Sequence, residues 1–167
     1  MRFDLSSAAV MALAVASALA TAWWMDQAGL RGQAQAATPV PVAATGAPGQ
    51  VLKAADGHYW TDADIDGRAV RVMVDTGASV VVLTPADAAR LGMNLTPDDF
   101  SGTVITASGP VRAAPVRLET VAVAGARVTA VEALVVEQGL PHSLLGMSYL
   151  GRLSSFSATP AGLTLRP

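Results

Sequence analysis

The chain has 167 residues and contains no cysteine. That absence removes disulfide scaffolds, Cys-ligated zinc, iron–sulfur clusters and cysteine nucleophiles, each of which needs a thiol. There is no basic block either: the net charge is −2 and the isoelectric point about 5.5. Without clustered Lys and Arg a phosphate backbone is poorly held, so nucleic acid is not an expected partner. Lys53 is the sole lysine and borders a Pro/Gly-rich stretch, which leaves a Ser–Lys dyad without a well-placed base. His58 and His142 are the only histidines and have no metal-ligand spacing, so neither a metal nor a cofactor is expected. No internal repeat, P-loop or dinucleotide glycine fingerprint occurs. Ser148 follows Gly146, but Leu150 stands where a nucleophile elbow requires glycine. Charge is scarce overall, 14% of residues against 51% hydrophobic, with a mean hydropathy of +0.42. This is too apolar for an ordinary soluble domain taken whole, and part of the chain is expected to face a membrane.

Residues 5–25 carry no charge and consist largely of Ala, Val, Leu and Met, ending at Trp23, Trp24 and Met25. About 21 apolar residues are what a helix needs to cross a bilayer, and tryptophan suits the interface. Residues 1–25 therefore read as a single transmembrane anchor, with Arg2 giving a weak bias toward a cytoplasmic N-terminus that Asp4 offsets. The competing reading is a cleaved signal peptide, with Ala18-Leu19-Ala20 or Ala34-Gln35-Ala36 as the small-residue site. Both readings put the rest of the chain outside the cytoplasm: a periplasmic domain held to the inner membrane, or one released into the periplasm. Residues 26–50 are rich in Ala, Gly, Gln, Thr and Pro, with Pro39, Pro41 and Pro48 interrupting any helix, and read as a flexible linker.

From residue 51 to 167 the pattern changes to short β-branched runs bounded by turn residues, an all-β signature. Asp66-Gly67 is a hairpin signal before the period-two valines of 70–74. A second run covers 80–83. Thr84-Pro85-Ala86-Asp87 then starts a short helix, with Thr84 as N-cap, Pro85 in the first turn, Asp87 near the positive end of the dipole and Gly92 as the stop. Further runs at 102–107, 111–118, 121–123 and 128–136 are separated by Ser108-Gly109-Pro110 and Ala124-Gly125, and 154–157 with 163–165 form a terminal hairpin. Such a domain is a small barrel or sandwich with one or two short helices.

The distinctive stretch is Asp75-Thr76-Gly77-Ala78-Ser79, set between apolar strands. A carboxylate directly after a buried strand is costly unless the site uses it, and Gly77 allows close backbone approach while Thr76 and Ser79 bring hydroxyls into the same loop. From the residues alone, the plainer reading is a turn aspartate between two strands. A wider pattern favours the other. Asp75 to Ser79, followed by Val80-Val81-Val82-Leu83, resembles the active-site motif of retropepsin-like aspartic proteases. Leu144-Leu145-Gly146-Met147-Ser148-Tyr149-Leu150 resembles the element that crosses behind the catalytic loop in that family and leads into a short helix. The helix at Thr84 and the stretch Thr106-Ala107-Ser108-Gly109, in the position of the flap, are similar to the membrane-anchored bacterial branch.

The resemblance spans residues 58–167 and implies a small closed β-barrel preceded by the anchor and linker. It implies an aspartic endopeptidase in which two carboxylates share one proton, one taking a proton from water while the other donates to the scissile carbonyl. The chain has one Asp-Thr-Gly. The second Asp75 is then expected from another copy, in a homodimer whose two-fold axis passes through the site. By the same resemblance Asp75 is catalytic, Thr76, Gly77, Ala78, Ser79, Leu145 and Gly146 support its loop, and Thr106, Ala107, Ser108 and Gly109 belong to a flap over a protein or peptide substrate. The alternative is an inactive retropepsin-like module that binds or scaffolds peptides.

Overall fold

The computed structural model of the protein describes residues 43–106 and 109–167. The expected membrane segment, most of the expected linker, and Ala107 and Ser108 lie outside the described residues. Among the described residues no helix is long and apolar enough to cross a membrane.

Two short strands, β1 (Thr45–Gly46) and β2 (Gly49–Leu52), come first. Strands β3 (Trp60–Ile65) and β4 (Arg68–Val74) then form an antiparallel hairpin around Asp66-Gly67. Both turn residues have positive φ, +51° and +80°, the twist that lets a two-residue turn join right-twisted strands. Two carboxylates fix the turn: Asp64 accepts from the Gly67 N–H at 3.0 Å, and Asp66 accepts from the Thr120 N–H at 2.7 Å. Val70 and Val72 are buried and Arg71 is exposed, the expected alternation. After β5 (Val81–Leu83), helix α1 (Pro85–Arg90) begins as expected, with the Thr84 hydroxyl accepting from the Asp87 N–H at 3.2 Å. A 3-10 turn, Pro97–Asp99, comes next.

Strands β6 (Gly102–Thr106) and β7 (Gly109–Val123) pair as a second hairpin, Gly102 opposite Ala113 and Thr106 opposite Gly109. Pro110 sits inside β7, opposite Ile105, rather than in the connection expected at Ser108-Gly109-Pro110. β7 continues as one strand through the expected break near Glu119 and pairs along β8 (Ala126–Val136) from Ala113↔Val136 to Val123↔Ala126. The turn between them, Ala124-Gly125, repeats the positive-φ pair at +47° and +89°. The chain closes with β9 (Ser143–Leu145), α2 (Met147–Leu150), β10 (Ser155–Ala158) and β11 (Gly162–Arg166).

The architecture is all-β with few short helices. The strands divide between two sheets. The larger has the order β1-β8-β5-β9-β4-β3-β7-β6, with β7 also paired to β8, and the smaller has the order β10-β11-β2. Ile65, Leu83, Leu118, Leu145, Leu150 and Leu165 are fully buried in the core. Tyr149 joins them with its hydroxyl donating to the Ala126 carbonyl at 2.9 Å, so its burial leaves no polar group unmet. That burial raises the phenol above its ordinary pKa.

The stretch up to residue 50 was expected to be linker, yet its last residues are strand. β1 pairs with Arg127 and Ala126, and β2 pairs with β11. The glycines that read as spacer have a packing reason. A Cβ on Gly46 would lie 1.9 Å from the Gly125 carbonyl oxygen, and one on Gly49 would lie 1.7 Å from that of Ala124. Only glycine lets this backbone rest on the β7–β8 turn.

Candidate active site

Asp75 follows the last residue of β4, where three elements converge. β9 lies between β4 and β5, parallel to β4 through Val74↔Leu145 and antiparallel to β5 through Val82↔Leu144. The Asp75 N–H donates to the Leu145 carbonyl at 3.1 Å and the Val74 N–H to the Tyr59 carbonyl at 2.9 Å. The chain then turns, with the Ala78 N–H reaching the Asp75 carbonyl at 3.3 Å. Inside this turn the Gly77 N–H donates to Asp75 Oδ1 at 2.8 Å. A backbone donor of this kind fixes the rotamer of the carboxylate.

Leu145 and Gly146 stand behind the loop, both buried. A Cβ on Gly146 would fall 2.1 Å from the Val80 carbonyl oxygen and 2.7 Å from that of Ala78. Glycine is therefore required for the crossing strand to pass this close. The next residue locks the arrangement, since the Met147 N–H donates to the Ala78 carbonyl at 2.8 Å. Ser148 adds a bridge that was not expected from the sequence: its hydroxyl accepts from the Val81 N–H at 2.9 Å and donates to the Glu132 carbonyl at 2.7 Å. At the other end of β9, the buried Ser143 hydroxyl donates to Asp87 at 2.6 Å and accepts from the Thr84 N–H at 3.1 Å, tying α1 to the same strand.

A cavity of about 460 Å³ opens in front of Asp75. Asp75, Gly77, Ala78 and Ser79 form one side, and Val104, Ile105 and Thr106 of β6 another. Val80, Val82, Leu134, Val136 and Leu144, with the loop Gly139-Leu140-Pro141, complete it. The lining is apolar apart from the carboxylate and a few hydroxyls and backbone groups, the composition of a cleft that holds an organic chain and orients it at one polar point. Ile105 is also 81% exposed, so the β6 hairpin presents an apolar side chain to whatever enters.

Of the residues anticipated from sequence, Asp75, Gly77, Ala78, Ser79 and Thr106 meet at this cavity. Thr76 is exposed beside it. Gly109 lies across the hairpin, where its carbonyl accepts from the Thr106 hydroxyl at 2.8 Å. The donor on the Asp75 carboxylate is the Gly77 N–H rather than a loop hydroxyl, and the hydroxyl residues Thr76 and Ser79 are exposed. Val104 and Ile105 lie in the segment expected to form the flap, from about Gly102 to Arg112, whereas the Gly139 to Pro141 wall had not been anticipated. The wall carried a local signal, a Gly at φ +80° that leads into β9 by way of Pro141.

The family model for the gag-polyprotein putative aspartyl protease matches residues 61–152 of the chain. The fold is similar to the crystal structure of a retropepsin-like aspartic protease from Rickettsia conorii, with a TM-score of 0.65 and 33% sequence identity over 74% of this chain and 92% of that one. It is also similar to EIAV protease complexed with the inhibitor HBY-793, with a TM-score of 0.50 and 23% identity over 63% and 96% of the two chains, a likeness of fold. Among curated proteins, it is 38% identical over 115 residues to the uncharacterized protein in cobV 5'region of Sinorhizobium sp, covering 68% of this chain and 49% of that protein. It is 37% identical over 106 residues to the uncharacterized protein RP867 of Rickettsia prowazekii (strain Madrid E), covering 64% and 46%. The chain thus spans about half the length of the curated relatives it matches. Asp-Thr-Gly at the end of β4, a glycine-dependent strand behind it and a hairpin across the cavity are the parts of a retropepsin-like protease domain. The chain belongs to the retropepsin-like aspartic protease family.

Proposed function

We propose that the protein is an aspartic endopeptidase that works as a homodimer, with one Asp75 from each chain forming the catalytic pair. The observation that carries this reading is the cavity itself: a carboxylate fixed by the Gly77 N–H faces an apolar cleft under a hairpin, at the end of the strand where the family motif lies. Two like-charged carboxylates a few ångströms apart share one proton. The ionised one takes a proton from the attacking water, and the protonated one donates to the scissile carbonyl. The exposed residues Thr76 and Gly77 beside the carboxylate are the surface through which a second copy would bring its own loop. An extended peptide would lie between this loop and β6, at the edge of the larger sheet. Residues 1–25 would anchor the chain, the linker after them would tether it, and the peptidase would face the periplasm. Holding both copies on one membrane raises their effective concentration and favours pairing.

The test is cleavage of an unfolded protein by the full chain from mildly acidic to neutral pH, with Asp75→Asn beside it. The expected result is loss of turnover by about a thousandfold or more in Asp75→Asn with the fold intact, since a general acid–base pair supplies a factor of that order. A folded parent that binds peptide at this cavity and cleaves none across that range would favour an inactive binding module.

A further inference from the structure

Among the described residues β6 has one strand neighbour, β7, and lies at the edge of the larger sheet. It nonetheless carries Val104, Ile105 and Thr106 over the cavity. At the root of this hairpin, opposite Thr103, stands Arg112, the last residue of β7 before Ala113 begins the pairing with β8. Its side chain reaches back to the segment that leads into β6. Nη2 donates to the Pro97 carbonyl at 2.6 Å, Nε donates to the Phe100 carbonyl at 3.1 Å, and Nη1 meets Glu137 Oε1 at 3.4 Å. Its backbone carbonyl accepts from the Glu137 N–H at 2.9 Å. One residue therefore joins the incoming limb, the outgoing limb and the end of β8. A planar guanidinium is suited to this, because its donors point in fixed directions that a lone ammonium cannot reproduce. The Glu137 pair is about half exposed, 49% and 39% for the two side chains, so the value of the contact lies in geometry rather than in charge.

We propose that Arg112 is a positioning residue that holds the β6 hairpin at its working height over Asp75 by gripping the Pro97 and Phe100 carbonyls. This rests on the peptidase reading above for its consequence in turnover, though not for the anchoring itself. When the grip is lost, the fraction of molecules with β6 in place falls, and the apparent affinity for peptide falls by the same fraction. Bound peptide restores the arrangement, so turnover at saturation changes little.

The experiment compares the full chain with Arg112→Ala, Arg112→Lys and Glu137→Gln. Amide hydrogen exchange over 102–106 and 109–111 is read without substrate, and kcat and KM are read on an unstructured peptide. For Arg112→Ala the expected result is about a tenfold faster exchange at 102–106 and about a tenfold higher KM, with kcat within about threefold and β8 exchange unchanged. Arg112→Lys is expected to follow Arg112→Ala, and Glu137→Gln to stay within about twofold of the parent. Exchange and KM at parental values in Arg112→Ala would overturn the proposal, and so would full function in Arg112→Lys. If Arg112→Ala loses protection throughout β8, Arg112→Lys decides alone. A parent that cleaves nothing sinks the peptidase reading, while the exchange ratio still decides the anchor.

Discussion

Gly146 and Ser148 are the residues on which the placement of Asp75 most depends. Gly146 leaves no room for a side chain, since a Cβ would sit 2.1 Å from the Val80 carbonyl oxygen and the obstacle is backbone on both sides. Gly146→Ala is expected to destabilise the fold by about 3 kcal/mol or more and to abolish cleavage, measured by urea unfolding and turnover. Ser148→Ala removes the acceptor of the Val81 N–H and a donor to Glu132. Its expected cost is about 1–2 kcal/mol in urea unfolding. The role of Gly146 was legible because the local pattern of two leucines and a glycine names it. The role of Ser148 was not: its partners lie 16 and 67 residues away, and only the topology brings them to its hydroxyl.

Short elements here are held by single carboxylates and single glycines. Asp99 accepts from the Thr96 N–H at 2.6 Å and from the Thr96 hydroxyl at 2.8 Å, which lowers its pKa below 3.8, the backbone bond being the larger cause. Asp56 is lowered as well, first by the His58 N–H and then by the Trp60 indole N–H. A depressed carboxylate stabilises its turn above the unfolded value and releases it as pH falls through the folded one. Both carboxyl carbons are therefore expected to titrate below 3.8 by NMR, with the Trp60 indole resonance moving together with Asp56. At the β1–β2 corner, Gly49→Ala is expected to cost about 2–4 kcal/mol, read as a lowered urea midpoint, because the new Cβ meets the Ala124 carbonyl. The Asp-Gly hairpin, the Thr84 cap and the valine alternation were readable because each is a local rule of turn, cap or pleat. The strand character of 45–52 was not, because few side chains there are large enough to signal burial and its partners are remote in sequence.

For the molecule as a whole, the smaller sheet joins the first described residues to the last, β2 pairing with β11 through Val51↔Leu163. A fragment starting at Val51 would lose β1 and half of β2, exposing β11 and the β7–β8 turn. It is expected to unfold well below a fragment starting at Pro41, by about 5 °C or more in thermal melts, as the loss of even about 1 kcal/mol shifts a domain of this size by several degrees. The family, the all-β class and the Asp75 loop could be read ahead of the structure because motif and strand signals agreed. The division into two sheets could not, since it depends on pairing between the two ends of the domain.

The claim that most needs testing is that each active site draws one Asp75 from each of two chains. Wild type and Asp75→Asn are mixed at fixed total concentration, allowed to exchange subunits, and assayed on an unfolded protein. A shared site predicts activity falling with the square of the wild-type fraction, to about one quarter in an equal mixture. A linear fall, to about one half, would contradict the account by showing that each chain carries its own complete site.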